Sequence, residues 1–120
     1  MEKHYRVQGL GSAKTGTDHW WMQRLTAMLL PFLMLASLYI LVQTGKMDYA
    51  AARAFLGNPM FAAILGLTLG LIFYHMVLGL QVVIEDYIST HFTRLVLLTL
   101  VRLSALVLIA LAFASLVALL

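Results

Sequence analysis

The chain contains no cysteine and very little charge. Its 120 residues include eight Lys and Arg and five Asp and Glu, so that 11% of the residues are charged, less than half of the roughly 25% found in soluble domains. The absence of cysteine excludes a disulfide, a thiolate nucleophile, an iron–sulfur cluster and a thioether-attached haem. The low charge, together with 62% hydrophobic residues, excludes disorder, a nucleic-acid-binding domain and an ordinary soluble enzyme.

Three long apolar runs dominate the sequence. They are residues 25–42, 60–84 and 95–120, which contain 18, 25 and 26 residues and a single charged side chain, Arg102. A helix crosses the hydrocarbon core with roughly 20 residues, and none of the runs alternates polar and apolar residues as a barrel strand does. We therefore predict an all-α fold, a three-transmembrane-helix bundle that forms one membrane-anchor domain over residues 1–120.

The connections between the runs carry local signals. The first predicts a short interfacial helix, Tyr49–Leu56, with Asp48 as its N-cap and Gly57 at its end. Asn58-Pro59 then reads as the cap and first residue of the second span. The second connection, residues 85–94, is short and polar, so the second and third spans should be antiparallel neighbours.

The polar tail, residues 1–24, is predicted to be loop-like and cytoplasmic. With three spans, the tail shares its side of the membrane with the second connection. That side carries six Lys and Arg residues against two on the other, which places the N-terminus in the cytoplasm and the C-terminus outside. The six are Lys3, Arg6, Lys14, Arg24, Arg94 and Arg102, and the two are Lys46 and Arg53. We interpret Arg102 as snorkelling to the cytoplasmic headgroups.

His75 is the one histidine inside a span. It lies about 13 Å from the cytoplasmic end of the second run, at ~1.5 Å per residue. A histidine there either hydrogen-bonds a neighbouring helix or ligates a haem iron. Gly79 shares its face and either leaves room for a flat macrocycle or allows close helix packing. Because His4, His19 and His91 lie outside the spans, a bis-histidine haem would need its second ligand from another subunit.

Polar and aromatic residues cluster at the cytoplasmic ends of the first two spans. Asp86 and Tyr87 follow the second run, and Arg24 precedes the first, close behind Trp20 and Trp21. The aromatic residues are typical anchors at a membrane interface. An Arg, an Asp and a Tyr that converge at one depth can also bind a haem propionate and a quinone carbonyl.

The segment from His75 to Tyr87 resembles the second helix of the succinate dehydrogenase hydrophobic membrane-anchor family. That family has a haem-ligating histidine, a glycine four residues later and Asp-Tyr at eleven and twelve residues, as in His75, Gly79, Asp86 and Tyr87. Its first helix opens with Arg followed closely by Thr-Ala, matched here in residues 24–27. Two signatures of the sister family, the cytochrome b subunits of the same complex, do not occur here. They are a Pro-Leu-Ser-Pro-His-type N-terminus and a Ser-x-x-His-Arg start of the first helix.

The resemblance implies a subunit of a bacterial inner-membrane complex that oxidises succinate and reduces ubiquinone. It implies one haem b shared with the cytochrome b subunit, in a heterotetramer with an iron–sulfur and a flavoprotein subunit. His75 would be the haem axial ligand and would hold the iron. Tyr87 would bind ubiquinone with Asp86 as support, and Arg24 would lie near a haem propionate or the quinone. Dicarboxylate oxidation falls to another chain, because this one has no cysteine and no glycine-rich flavin loop.

Two other classes of protein remain open from the residues. A haem-free structural subunit of another membrane complex would use His75 for helix packing. A homodimeric b-type cytochrome would use His75 from two copies as its ligand pair. An absorption spectrum of the purified complex distinguishes the haem-free subunit from a haem-binding anchor. Co-purification of flavin and iron–sulfur subunits distinguishes the anchor from a homodimeric cytochrome.

The charge asymmetry makes a prediction about topology. A reporter fused to the N-terminus should report from the cytoplasm and one fused to the C-terminus from the other side, because three crossings separate the termini. Paired alkaline phosphatase and fluorescent-protein fusions measure this. A C-terminal fusion that reports from the cytoplasm would refute the number of spans or the orientation.

Overall fold

The computed structural model describes residues 16–120, which form four α-helices. These are α1 (Gly16–Thr44), α2 (Tyr49–Leu56), α3 (Pro59–Tyr87) and α4 (His91–Val117). Helices α1, α3 and α4 are each long and apolar enough to cross a membrane, and no strand occurs in the described part of the chain. The predicted all-α architecture with three spans is confirmed.

Helix α1 begins well before the first apolar run. Residues 16–24 are helical, so the prediction of a loop-like tail is wrong for this part, and the rest of the tail lies outside the described residues. Between Thr17 and Pro31 no glycine or proline interrupts the chain. A helix also satisfies its own backbone hydrogen bonds where water becomes scarce. His19 therefore belongs to α1 rather than to a tail.

The connection between α1 and α3 has the local structure predicted from its sequence. Asp48 caps α2, because its Oδ1 accepts a hydrogen bond of 2.8 Å from the backbone N–H of Ala51. Asn58 caps α3 in the same way, accepting from the N–H of Met60 at 2.9 Å, with Pro59 in the first turn. Both caps occupy amide groups that have no partner within the helix.

The three spans lie in a row, with α3 in the middle. Helix α3 packs against both α1 and α4, whereas α1 and α4 make no contact with each other over residues 16–120. A buried hydrogen bond of 2.7 Å between the Ser37 and Thr68 hydroxyls joins α1 to α3. On the other side, Gly66 lies against the side chains of Phe113 and Leu116 of α4.

Most of the apolar surface of the chain is exposed. Only 6% of the most apolar 18-residue window of α4 is buried, and the windows of α1 and α3 are 17% and 22% buried. A surface this apolar has to be covered by lipid or by other chains. The fold therefore leaves large apolar faces of α1 and α4 for the bilayer and for other subunits.

The close α3–α4 contact predicts the effect of enlarging Gly66. A Cβ atom there would lie 3.3 Å from Leu116 Cδ1 and 3.4 Å from Phe113 Cε1, so Gly66→Leu should force the two helices apart at a cost of about 1–3 kcal/mol. We expect a lower thermal unfolding midpoint of the detergent-purified assembly.

Gly70→Ala is the control for this substitution. A Cβ at Gly70 would meet nothing nearer than Phe113 Cε2 at 3.9 Å, so the midpoint should stay close to that of the wild type. Equal midpoints for Gly66→Leu and the wild type would contradict the close packing of α3 on α4.

Candidate functional site

His75 lies in α3 with its ring turned toward α1. Its Nδ1 is 2.7 Å from Oγ1 of Thr26, and this is the one hydrogen bond that the ring makes among the described residues. The imidazole is half-buried. The interhelical hydrogen bond thus uses one ring nitrogen and leaves Nε2 for another partner.

Thr26 is a site residue that the sequence singled out only as part of a motif. Its side chain is 5% exposed, and its Oγ1 lies 2.8 Å from the carbonyl oxygen of Met22 and 3.1 Å from that of Gln23. Threonine hydroxyls in helices commonly bond to carbonyls one turn earlier. That pattern alone did not reveal the contact with His75, because it depends on how α1 is rotated against α3.

Gly79 faces α1 one turn beyond His75. A Cβ atom at this position would lie 3.7 Å from Gln23 Nε2, an ordinary van der Waals distance. A side chain of α1 thus lies beside Gly79 at contact distance. Two polar side-chain atoms of α1, His19 Nε2 and Gln23 Oε1, are buried without a hydrogen-bond partner within residues 16–120.

Tyr87 and Asp86 stand at the end of α3, and both are exposed. The Tyr87 side chain is 81% exposed, so nothing in the described chain covers its phenol. Asp86 lies eleven residues after His75, which places it roughly 20° around the helix from the imidazole, and Tyr87 follows at roughly 120°. The phenol thus opens to a different side of α3 from the one that holds Thr26.

The structure does not bring Arg24 to Asp86 and Tyr87. The Arg24 guanidinium lies 5.3 Å from the centre of the Trp20 ring, a cation–π contact on the exposed surface of α1. Arg24 precedes Thr26 by two residues and so points roughly 160° away from it around the helix. No hydrogen bond joins the three predicted residues in the part of the chain that the structure describes.

A polar chain that the sequence did not reveal connects α4 to the end of α3. Arg102 Nη2 donates to Gln81 Oε1 at 3.1 Å, and Gln81 Nε2 donates to Glu85 Oε1 at 2.8 Å. Arg102, predicted to reach for headgroups, thus has a partner within the protein. Gln81 and Glu85 are one turn apart, the spacing at which such side chains meet on a helix, and this signal was available in the sequence.

The α3–α4 side of the molecule also carries a groove of about 340 Å³. Its walls are mostly apolar, with the Arg102–Gln81 pair among the lining residues. The lining residues are Tyr74, Val77, Leu78, Gln81, Arg102, Ala105, Leu106 and Ile109. This groove is separate from the Thr26–His75 contact, which belongs to the α1–α3 side.

The chain is similar to known membrane subunits of succinate dehydrogenase. The family described as the succinate dehydrogenase/fumarate reductase transmembrane subunit matches residues 2–119. The succinate dehydrogenase hydrophobic membrane anchor subunit of Rickettsia conorii is 35% identical over 103 residues, 85% of this chain and 82% of the relative. That of Rickettsia bellii is 37% identical over 98 residues, 82% and 78% of the two chains.

More distant matches agree with these. The corresponding subunit of Paracoccus denitrificans is 28% identical over 81 residues, 68% of this chain and 63% of the relative. No solved structure matches the chain. The resemblance predicted from the His–Gly–Asp-Tyr spacing is confirmed. The chain belongs to the family of succinate dehydrogenase and fumarate reductase transmembrane subunits, as a hydrophobic membrane anchor.

Proposed function

We propose that this anchor subunit holds one haem b together with a cytochrome b subunit and helps to form a ubiquinone-reduction site. The observation that carries the haem proposal is the geometry of His75. One ring nitrogen is fixed by Thr26 at 2.7 Å and the other makes no hydrogen bond within residues 16–120. Imidazole is a common axial ligand of haem iron, so the donor set fits the group. Haem supplies one-electron redox chemistry when it is bound.

The site is half of a ligand pair. The other histidines of the chain, His4, His19 and His91, lie outside the three apolar runs, so His75 is the one histidine within a run. The second ligand comes from the partner cytochrome b subunit, which packs on a face that the open row of helices leaves uncovered.

The quinone proposal rests on the exposed end of α3. A ubiquinone ring that enters from the bilayer reaches the phenol of Tyr87 at the cytoplasmic boundary while its isoprenoid tail stays in lipid. Tyr87 donates a hydrogen bond to a quinone carbonyl, and Asp86 beside it orients a water or a cation of the partner. Arg24 faces away from α3, so it meets a haem propionate or a quinone only on a surface shared with another chain.

The third role is to anchor soluble subunits to the membrane. The side with six Lys and Arg residues faces the cytoplasm of a bacterial inner membrane, with the C-terminus in the periplasm. There the anchor binds the iron–sulfur and flavoprotein subunits in a heterotetramer, which carry out succinate oxidation. This chain supplies a low-dielectric environment for the haem, polar side chains at the cytoplasmic face of the membrane, and contact with lipid.

A haem-free structural subunit is the second candidate function. The Thr26–His75 hydrogen bond favours it, because such bonds by themselves join membrane helices at about 0.6–2 kcal/mol each. In that case Nε2 of His75 would bind no metal.

Substitution of His75 separates the two candidates. His75→Leu removes an axial ligand, so we expect loss or reshaping of the b-type reduced-minus-oxidised spectrum of the purified complex. The subunit should still insert, because the span becomes more apolar. His91→Leu, at the exposed start of α4, is the control and should keep the wild-type spectrum. An unchanged low-spin spectrum in His75→Leu would refute the assignment of His75 as a ligand of the haem iron.

Substitution of Tyr87 tests the quinone site. Loss of one hydrogen bond to a carbonyl that gains charge on reduction costs on the order of 1.5–3 kcal/mol, or roughly 10- to 150-fold in rate. Tyr87→Phe should therefore slow succinate-driven ubiquinone reduction but leave succinate oxidation by an artificial acceptor unchanged.

Tyr49 provides a matched control. It is 80% exposed, against 81% for Tyr87, but it lies at the start of α2, on the opposite side of the membrane. Tyr49→Phe should leave both rates unchanged. If Tyr87→Phe reduced ubiquinone at the wild-type rate, Tyr87 would have only the role of an interfacial anchor.

A further inference from the structure

The direction of the hydrogen bond between Thr26 and His75 can be worked out from the neighbours of the hydroxyl. Thr26 has one hydroxyl proton, and its Oγ1 lies 2.8 Å from the carbonyl oxygen of Met22 and 3.1 Å from that of Gln23. Carbonyl oxygens only accept hydrogen bonds, so the Thr26 hydroxyl points its proton toward them. A lone pair of Oγ1 then faces Nδ1 of His75 at 2.7 Å. Nδ1 must therefore carry a proton, which it donates to Oγ1 in this hydrogen bond.

We propose that Thr26 is a positioning residue that holds His75 in the tautomer with its proton on Nδ1. This inference rests on the proposed function of His75 as a haem ligand. A nitrogen binds a metal only through a free lone pair, and the hydrogen bond at the other ring nitrogen selects which one is free. With the proton on Nδ1, the lone pair of Nε2 is the one presented to iron. The reverse tautomer would place a proton where the metal has to bind.

The setting of Thr26 suits it for this task. Its side chain is 5% exposed, so water has little access to the hydroxyl that faces Nδ1. The β-branched side chain has few χ1 rotamers in a helix, and the bond back to Met22 selects one of them. The acceptor therefore has a fixed place on α1, and the imidazole plane is fixed with it.

An acceptor at Nδ1 also makes the imidazole a stronger electron donor through Nε2. A stronger donor favours ferric over ferrous iron. Removal of the hydroxyl should therefore raise the midpoint potential of the haem. A tenfold loss of the preference for ferric iron corresponds to an upward shift of about 59 mV for a one-electron couple.

The test compares two hydroxyl contacts of the same interface. Thr26→Val removes the acceptor and keeps the β-branched shape. Thr68→Val removes the other α1–α3 hydroxyl contact, the bond of equal length, 2.7 Å, to Ser37. Ser37 lies eleven residues beyond Thr26, about 16 Å along α1. A purely structural role predicts similar effects of the two variants, whereas a positioning role predicts a potential shift in Thr26→Val alone.

The measurements are a redox titration and the reduced-minus-oxidised spectrum of the purified complex. We expect Thr26→Val to raise the midpoint potential, Thr26→Ser to restore the wild-type value, and Thr68→Val to keep it. If the valine variant does not assemble, Thr26→Ala replaces it and should shift the potential in the same direction.

Two results would overturn the proposal while leaving the haem assignment in place. One is a Thr26→Val complex with the wild-type potential, alongside a His75→Leu complex that has lost its spectrum. The other is an equal shift in Thr68→Val. A wild-type complex without a b-type spectrum, or an unchanged spectrum in His75→Leu, would refute the ligand assignment of His75, and the role of Thr26 with it.

Discussion

Contacts between α1 and α3 set the position of His75 and of the polar end of α3. Within a bilayer, apolar side chains gain little by leaving lipid for protein, so helices associate through close packing and hydrogen bonds. Here the hydroxyls of Thr26 and Ser37 provide two such bonds to α3, and Gly79 lets Gln23 approach. Because a helix is rigid along its length, these few contacts also determine where the polar end of α3 emerges from the membrane.

The lengths of the apolar runs and the capping residues were enough to predict the number of helices and their order along the chain. The bounds of α2 and the caps at Asp48 and Asn58 agree with the structure because each depends on side chains within a few residues of one another. The start of α1 did not follow from hydropathy. The polarity of residues 16–24 indicates where the hydrocarbon begins, whereas helix formation depends on backbone hydrogen bonding, which continues into the headgroup region.

The candidate site could be predicted only in part, for a related reason. Spacing along α3 placed His75 and Tyr87 on neighbouring faces without any tertiary information. The contact of Thr26 and the outward direction of Arg24 depend on the rotation of α1 about its axis, which no pattern in one sequence specifies. Arg102 shows the same limit, since its hydrogen bond to Gln81 needs the register of α4 against α3.

The weak burial of α4 has a consequence for sequence divergence. Only 6% of its most apolar window is buried within the chain, so those side chains of α4 that face lipid are required to be apolar but not to have a particular shape. Leucine, valine, isoleucine and phenylalanine are then nearly interchangeable there, except around Gly66, where Phe113 and Leu116 fit against a bare backbone. Substitutions that accumulate in α4 lower the sequence identity between relatives without disturbing the contacts of α1 with α3.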